Sequence, residues 1–254
     1  MVNKMYSYFK AEALKIKHTF IIKLGVIAPI FTILLSATLV LGYFQMGAYN
    51  WWYTTILPGL ISLVCTLAAV KDTKMKNRAV LSLPIDLKKI WAAKILICTA
   101  VITISSLILF LGTSLVAGVS ALNKAADITA INAFAGILVL IITFLWQIPL
   151  CLFLGSKVGM FITIIISFAA NAVLGILAAT EKIWWAVPYA IPARLMCPIL
   201  KVLPNGLPAV KGSETFKSEL LSNGVILPGI IIAIVLFCIL TIITARWYSK
   251  QEAK

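Results

Sequence analysis

VKDTKMKNRAVLSLPIDLKK (residues 70–89) decides how the chain folds, because this basic stretch lies between two segments apolar enough to be buried in lipid. Residues 51–70 upstream and 90–119 downstream are near-continuous apolar runs. A helix needs about 20 such residues to cross a hydrocarbon core about 30 Å thick. The same test finds four more runs, at residues 20–41, 132–154, 159–179 and 225–245. Composition agrees: 62% of the 254 residues are hydrophobic, 12% are charged, and the mean hydropathy is +1.06, far from the balance of soluble domains. The reading is an all-α membrane protein with six transmembrane helices in a single domain, residues 1–254.

Orientation follows from lysine and arginine, which are retained on the cytoplasmic side of span ends. With the N-terminus inside, sixteen of the 22 basic residues are cytoplasmic: five up to Lys23, seven around the quoted stretch, Lys157, and three after the last span. The eight acidic residues divide evenly, so the asymmetry resides in the cations, as the rule requires. Both termini are expected in the cytoplasm. The formal charge of +14 is then headgroup-level charge attracted to anionic lipid, and no nucleic-acid motif accompanies it. The first apolar run is too long, and starts too late, for the core of a cleaved signal peptide.

Residues 1–19 have the pattern of a helix lying in the headgroup plane. Val2, Met5, Tyr6, Phe9, Ala13, Ile16 and Phe20 share a stripe flanked by lysines. His18 falls on its polar side, as a solvated residue. Trp51 and Trp52 read as interface anchors of the second span, and Trp247 with Tyr248 as those of the sixth. Pro29, Pro58, Pro149 and Pro228 are expected to kink their spans. Gly155 and Gly159 fall at a turn, which weakens them as a packing motif. Residues 181–223 form the one long external segment, and its prolines with Arg194 favour short interfacial or re-entrant helices over a seventh span.

Catalytic chemistry has little to build on. One histidine makes no HExxH, and no GxSxG or HxE motif occurs. Cys65, Cys98, Cys151 and Cys238 sit in spans without CxxC spacing and read as small buried hydrophobes. Span interiors lack the ionisable residues of an ion-coupled pump, with Lys23 and Lys94 placed near cytoplasmic ends where they can snorkel. No phosphate-binding loop is present. Uphill transport by this chain would draw its energy from another polypeptide, so the chain itself is not an enzyme and binds no cofactor.

Such a partner must push on something, and residues 71–89 are the only cytoplasmic connection of any size. Pro84 turns Leu83 away from helix and suits the first turn of a following one, giving two short helical pieces. Asp72, Lys76, Arg78, Leu81, Leu83, Pro84 and Asp86 then form a docking surface with an apolar centre and a charged rim. A plain solvated loop is the alternative.

The amphipathic start with AEALKIKHT (residues 11–19), the six spans, and KDTKMKNRAVLSLPIDLKKIWAAKIL resemble the permease subunits of type-2 ABC exporters. FQMGAYNWWYTTILPG (residues 44–59) is more specifically similar to the lantibiotic-immunity permeases, closer to their E than their G subunits. The resemblance implies an elbow helix at the N-terminus and a coupling helix between spans two and three. It also implies a bacterial plasma-membrane complex with a second, G-type permease and two copies of an F-type ATPase that carries the ATP and Mg. The cargo would be a lanthipeptide, expelled from the membrane. Unlike permeases with large ectodomains, this chain has only residues 181–223 outside. Candidate substrate contacts on this reading are Asn50, Trp51, Trp52, Gln147, Asn171, Trp184, Trp185, Glu214 and Glu219. An ABC permease for a bacitracin-like peptide, lipid or drug, and a membrane protein that sequesters peptide without transport, remain as alternatives.

Overall fold

The computed structural model describes residues 2–40, 42–74, 86–117 and 128–251, with the backbone alone at 2–4 and 71–74. The described residues are helical, without a β-strand: α1 (Val2–Ile16), α2 (Phe20–Leu39), α3 (Phe44–Trp51), α4 (Leu57–Lys74), α5 (Leu87–Ala117), α6 (Ala130–Phe144), α7 (Gln147–Lys157), α8 (Met160–Ala169), α9 (Ile191–Leu200) and α10 (Ile226–Ser249). Single π-helical turns at Trp52–Ile56 and Ala170–Leu174 join α3 to α4 and prolong α8. Among the described residues, five stretches are long and apolar enough to cross a membrane: Phe20–Leu39, Phe44–Val70, Leu87–Ala117, Met160–Thr180 and Asn223–Ser249. The pair α6 and α7, bent by 42° at its break, makes a sixth when the two are counted as one span. The chain is a helical, multi-pass membrane protein.

Two spans, α2 and α8 with its continuation, bury mostly small and polar residues and turn bulky ones outward, as suits packing in lipid where apolar contact with a neighbour gains nothing over contact with lipid tails. Along α2 the buried residues are Ile21, Gly25, Pro29, Thr32 and Ser36, while Ile27, Phe31 and Leu34 are exposed. Thr163, Ser167, Asn171 and Gly175 repeat the pattern every fourth residue along α8 and its continuation, with Phe161, Ile165 and Phe168 outside. Of the five single-helix candidates, Phe44–Val70 is the most enclosed and Asn223–Ser249 the least.

Proline placement explains several irregularities. Pro29 has no N–H for the Gly25 carbonyl, and Ser105 Oγ on α5 donates to that oxygen instead, at 2.7 Å. Pro149 likewise cannot serve Leu145, and the helix breaks at Leu145–Trp146, where Ile148 N bonds Leu145 O at 3.1 Å in a tighter turn. Pro58 follows the first π turn, in which Leu57 N reaches back to Trp52 O.

Two features differ from the hydropathy reading. The second span begins at Phe44, so the segment containing Trp51 and Trp52 lies within a helix rather than at its entrance. Gly155 is a packing residue after all: a Cβ there would stand 3.0 Å from Thr66 Cα on α4. Gly159, at φ +85°, makes the turn into α8 in a conformation that costs glycine nothing.

The bundle has two distinct ends. Its basal end gathers α1, the start of α5, the α7–α8 turn and the end of α10. Its loop end carries residues 181–223, in which α9 is almost wholly buried. Gly136 and Gly229 make room for Leu200 and Leu195 of that helix, which ends at Lys201 in a left-handed conformation. The short helices expected in this segment are therefore present as α9 and a series of 3₁₀ turns.

Candidate functional site

The first turns of α5 concentrate polar and aromatic contacts at the basal end. Asp86 precedes α5 and caps it, its Oδ1 accepting the Lys88 N–H at 3.1 Å and its Oδ2 lying 3.2 Å from Lys89 Nζ. Slight desolvation pushes its carboxyl upward, but the Lys89 ammonium and the Lys88 and Lys89 N–H groups outweigh it and hold the pKa below the ordinary value. Asp86 N also donates to Tyr8 Oη on α1, at 3.4 Å.

Two turns further on, Lys94 reaches α1. Its Nζ lies 3.0 Å from Glu12 Oε2, and Lys15 Nζ lies 2.6 Å from Glu12 Oε1. Lys94 is 3% exposed and Glu12 6%, so Lys94 does not snorkel as its position near a span end suggested. It joins a buried ion pair that fixes α1 to α5. Removing one partner from such a pair is costly, because the other charge stays desolvated.

Between these contacts Trp91, fully buried, donates from Nε1 to Thr244 Oγ1 on α10 at 2.9 Å. Its ring stacks on Tyr248 with centroids 4.7 Å apart and meets Trp247 edge-on at 5.9 Å. Phe153 packs edge-on against Trp247, and Lys157 lies 5.5 Å from that ring's centroid. Tyr248, 3% exposed, belongs to this internal clamp and is no interface anchor. Residues 86–94 thus link the end of the 75–85 connection to α1, α7 and α10. Of the expected docking residues, Asp86 is in this hub. Lys76, Arg78, Leu81, Leu83 and Pro84 lie outside the described residues, as does the Asp72 side chain.

A second polar feature occupies the bundle interior. Gln147, just past the break between α6 and α7, exchanges two hydrogen bonds with Asn171 in the second π turn, at 3.0 and 3.1 Å. Asn171 Nδ2 also donates to Ser167 O at 2.8 Å. The two π turns pack against each other. Trp52 is fully buried against the bundle rather than facing outward, and Trp51 is 36% exposed. The indole N–H groups of Trp52 and Trp146 have no hydrogen-bond partner among the described residues. Asn50 belongs to the loop end, where its Nδ2 donates to Tyr53 Oη at 2.9 Å and Pro204 O at 3.3 Å.

A cavity of about 810 Å³ opens at that end, lined by Glu181, Lys182, Trp184, Arg194, Lys217 and Glu219 among others. Arg194, 5% exposed, donates to Leu220 O at 2.6 Å and Glu219 O at 2.8 Å, with its guanidinium 5.9 Å from the Trp184 ring centroid. Burial pulls its pKa down from the ordinary arginine value. Lys217 Nζ stands 3.7 Å from Glu181 Oε1.

No family model, curated protein or solved structure matches the chain.

The candidate substrate contacts do not converge on one pocket. Trp184 and Glu219 line the loop-end cavity, Trp185 is exposed beside it, and Glu214 is exposed on the following loop. Gln147 and Asn171 satisfy each other inside the bundle. Sequence reasoning missed Tyr8, Glu12, Trp91 and Thr244. Glu12 had a signal: it lies within about 40° of Ile16 around the helix, on the buried face of α1. No cluster of three or more metal-ligating side chains occurs among the described residues, and the five cysteines are free thiols.

Proposed function

We propose that this chain is the permease subunit of an ATP-driven ABC exporter that expels lanthionine-containing peptides from a bacterial cell membrane. It is closer to the E type, with both termini cytoplasmic. A G-type permease completes the pathway, and two copies of an F-type ATPase carry the ATP and Mg. The basal hub is the observation that carries the reading. An ATPase pressing on the connection between α4 and α5 acts directly on residues 86–94. From there Lys94 and Glu12 pass the displacement to α1, which serves as the elbow helix, and Trp91 passes it to α10.

The interior supports the same reading. A helix break and two π turns meet where a transport pathway needs segments that can repack, and π turns are frequent at functional sites. The loop-end cavity is lined by three cations and two carboxylates, so it is no acidic receptor for a cationic peptide. Capture is therefore assigned to the membrane-facing sides of the spans, with entry from the outer leaflet.

The test is survival under lanthipeptide challenge in cells expressing this chain with its ATPase and second permease. Protection that disappears with a hydrolysis-dead ATPase supports the exporter. Protection by this chain alone refutes it and favours sequestration. Hydrolysis-dependent resistance to a different compound keeps the permease and replaces the cargo.

A further inference from the structure

A groove of about 360 Å³ runs between α1, α2 and α5 at the basal end. Its walls are carbon, from Ala13, Ile22, Ala100 and Ile104 among others, and Lys10 and Lys17 stand at its rim. Lys10 lies on α1 and Lys17 directly follows it, its N–H still bonded to Ala13 O at 3.0 Å, so seven residues at helical rise place the two about 10 Å apart along the helix axis on nearly the same side. Both are exposed, and neither has an ion-pair partner among the described residues. The neighbouring carboxylate, Glu12, faces Lys15 and Lys94 and does not line the groove.

We propose that this groove binds an anionic phospholipid, its acyl chain along the apolar floor and its phosphate held by Lys10 and Lys17. The charge pattern selects that occupant. A zwitterionic lipid would fill the floor equally well but leave two ammoniums without a net counter-charge, while a soluble anion would leave the floor uncovered. Because the groove shares α1 with the Glu12–Lys94 pair, a bound lipid would press the surface helix onto α5 where the hub begins. The inference rests on the chain being a membrane protein and not on the exporter reading.

Native mass spectrometry of the full-length chain, delipidated and then titrated with phosphatidylglycerol or phosphatidylcholine, tests it. Phosphatidylglycerol should be retained preferentially. Each rim lysine near a lipid surface contributes about fivefold in affinity, so Lys10→Gln with Lys17→Gln should reduce retention about 30-fold. Ala100→Trp should reduce retention of the same lipid by blocking the floor without altering charge, whereas Lys23→Gln, exposed but outside the groove, should change nothing. Equal retention of both lipids would overturn the proposal. So would a Lys23→Gln effect as large as the double substitution, which would indicate diffuse surface charge. Displacement of the lipid by inorganic phosphate, with Ala100→Trp silent, would show an anion site in which the acyl chain plays no part.

Discussion

Asn171→Leu should destabilise the protein, and adding Gln147→Leu should restore part of the loss. In the native bundle the two amides exchange hydrogen bonds of 3.0 and 3.1 Å, with Gln147 1% exposed and Asn171 3%. Replacing Asn171 alone leaves both the Oε1 and the Nε2 of Gln147 buried without their partner. An orphaned buried polar group costs about 1–3 kcal/mol, whereas measured hydrogen bonds between membrane helices average about 0.6 kcal/mol each. Two bonds at the membrane average come to about 1.2 kcal/mol and two orphaned groups at the low end to about 2 kcal/mol, so the single substitution should cost about 1–2 kcal/mol. With both positions leucine nothing polar remains desolvated, and the double variant should lie at least about 1 kcal/mol above the sum of the two singles. Reversible unfolding in mixed micelles, run as a double-mutant cycle, reads this coupling directly. Additive losses would refute the reasoning, since they would mean the amides act independently despite their geometry.

Other expectations concern the basal hub. Glu12→Gln should cost about 3 kcal/mol, the low end for breaking a buried ion pair, while Glu12→Leu with Lys94→Met should cost less; unfolding in detergent measures both. Trp91→Phe should keep the stacking on Tyr248 but lose the bond to Thr244, for about 1 kcal/mol. Asp86→Ala should remove a helix cap worth about 1 kcal/mol. Because the folded state lowers the Asp86 pKa, its contribution is present above the unfolded value of about 3.9 and is lost as pH falls through the folded value. Stability against pH for wild type and Asp86→Ala should therefore converge only below about pH 4. Leu81→Asp with Leu83→Asp should abolish peptide resistance while leaving the amount of chain in the membrane unchanged, as judged by immunoblot of the membrane fraction beside a survival assay.

Apolar run length was enough to locate the long apolar helices, because a lipid-facing helix advertises itself by hydropathy alone. It failed where tertiary contacts replace lipid. Phe44 to Asn50 includes glutamine, glycine and asparagine, which dilute the run, yet Gln45 Oε1 accepts the Ile128 N–H and Asn50 binds the loop end, so the helix starts early. Tryptophan was ambiguous for a related reason. An amphipathic ring suits a lipid headgroup layer and a helix interface equally, and the pattern around Trp52 and Tyr248 does not tell them apart. Lys94 looked like a snorkelling residue because its partner is 82 positions away. The break at Leu145–Trp146 was closer to legible: Pro149 marks it, and only its size had to come from the structure.

The most direct measurement of the central claim is ATP hydrolysis by this chain, the ATPase and the second permease reconstituted in one vesicle, with and without lanthipeptide. The account predicts a stable complex whose hydrolysis rises with peptide and loses that response with Leu81→Asp and Leu83→Asp. A chain that recruits no ATPase, or a complex whose hydrolysis ignores both the peptide and the substitutions, would contradict it.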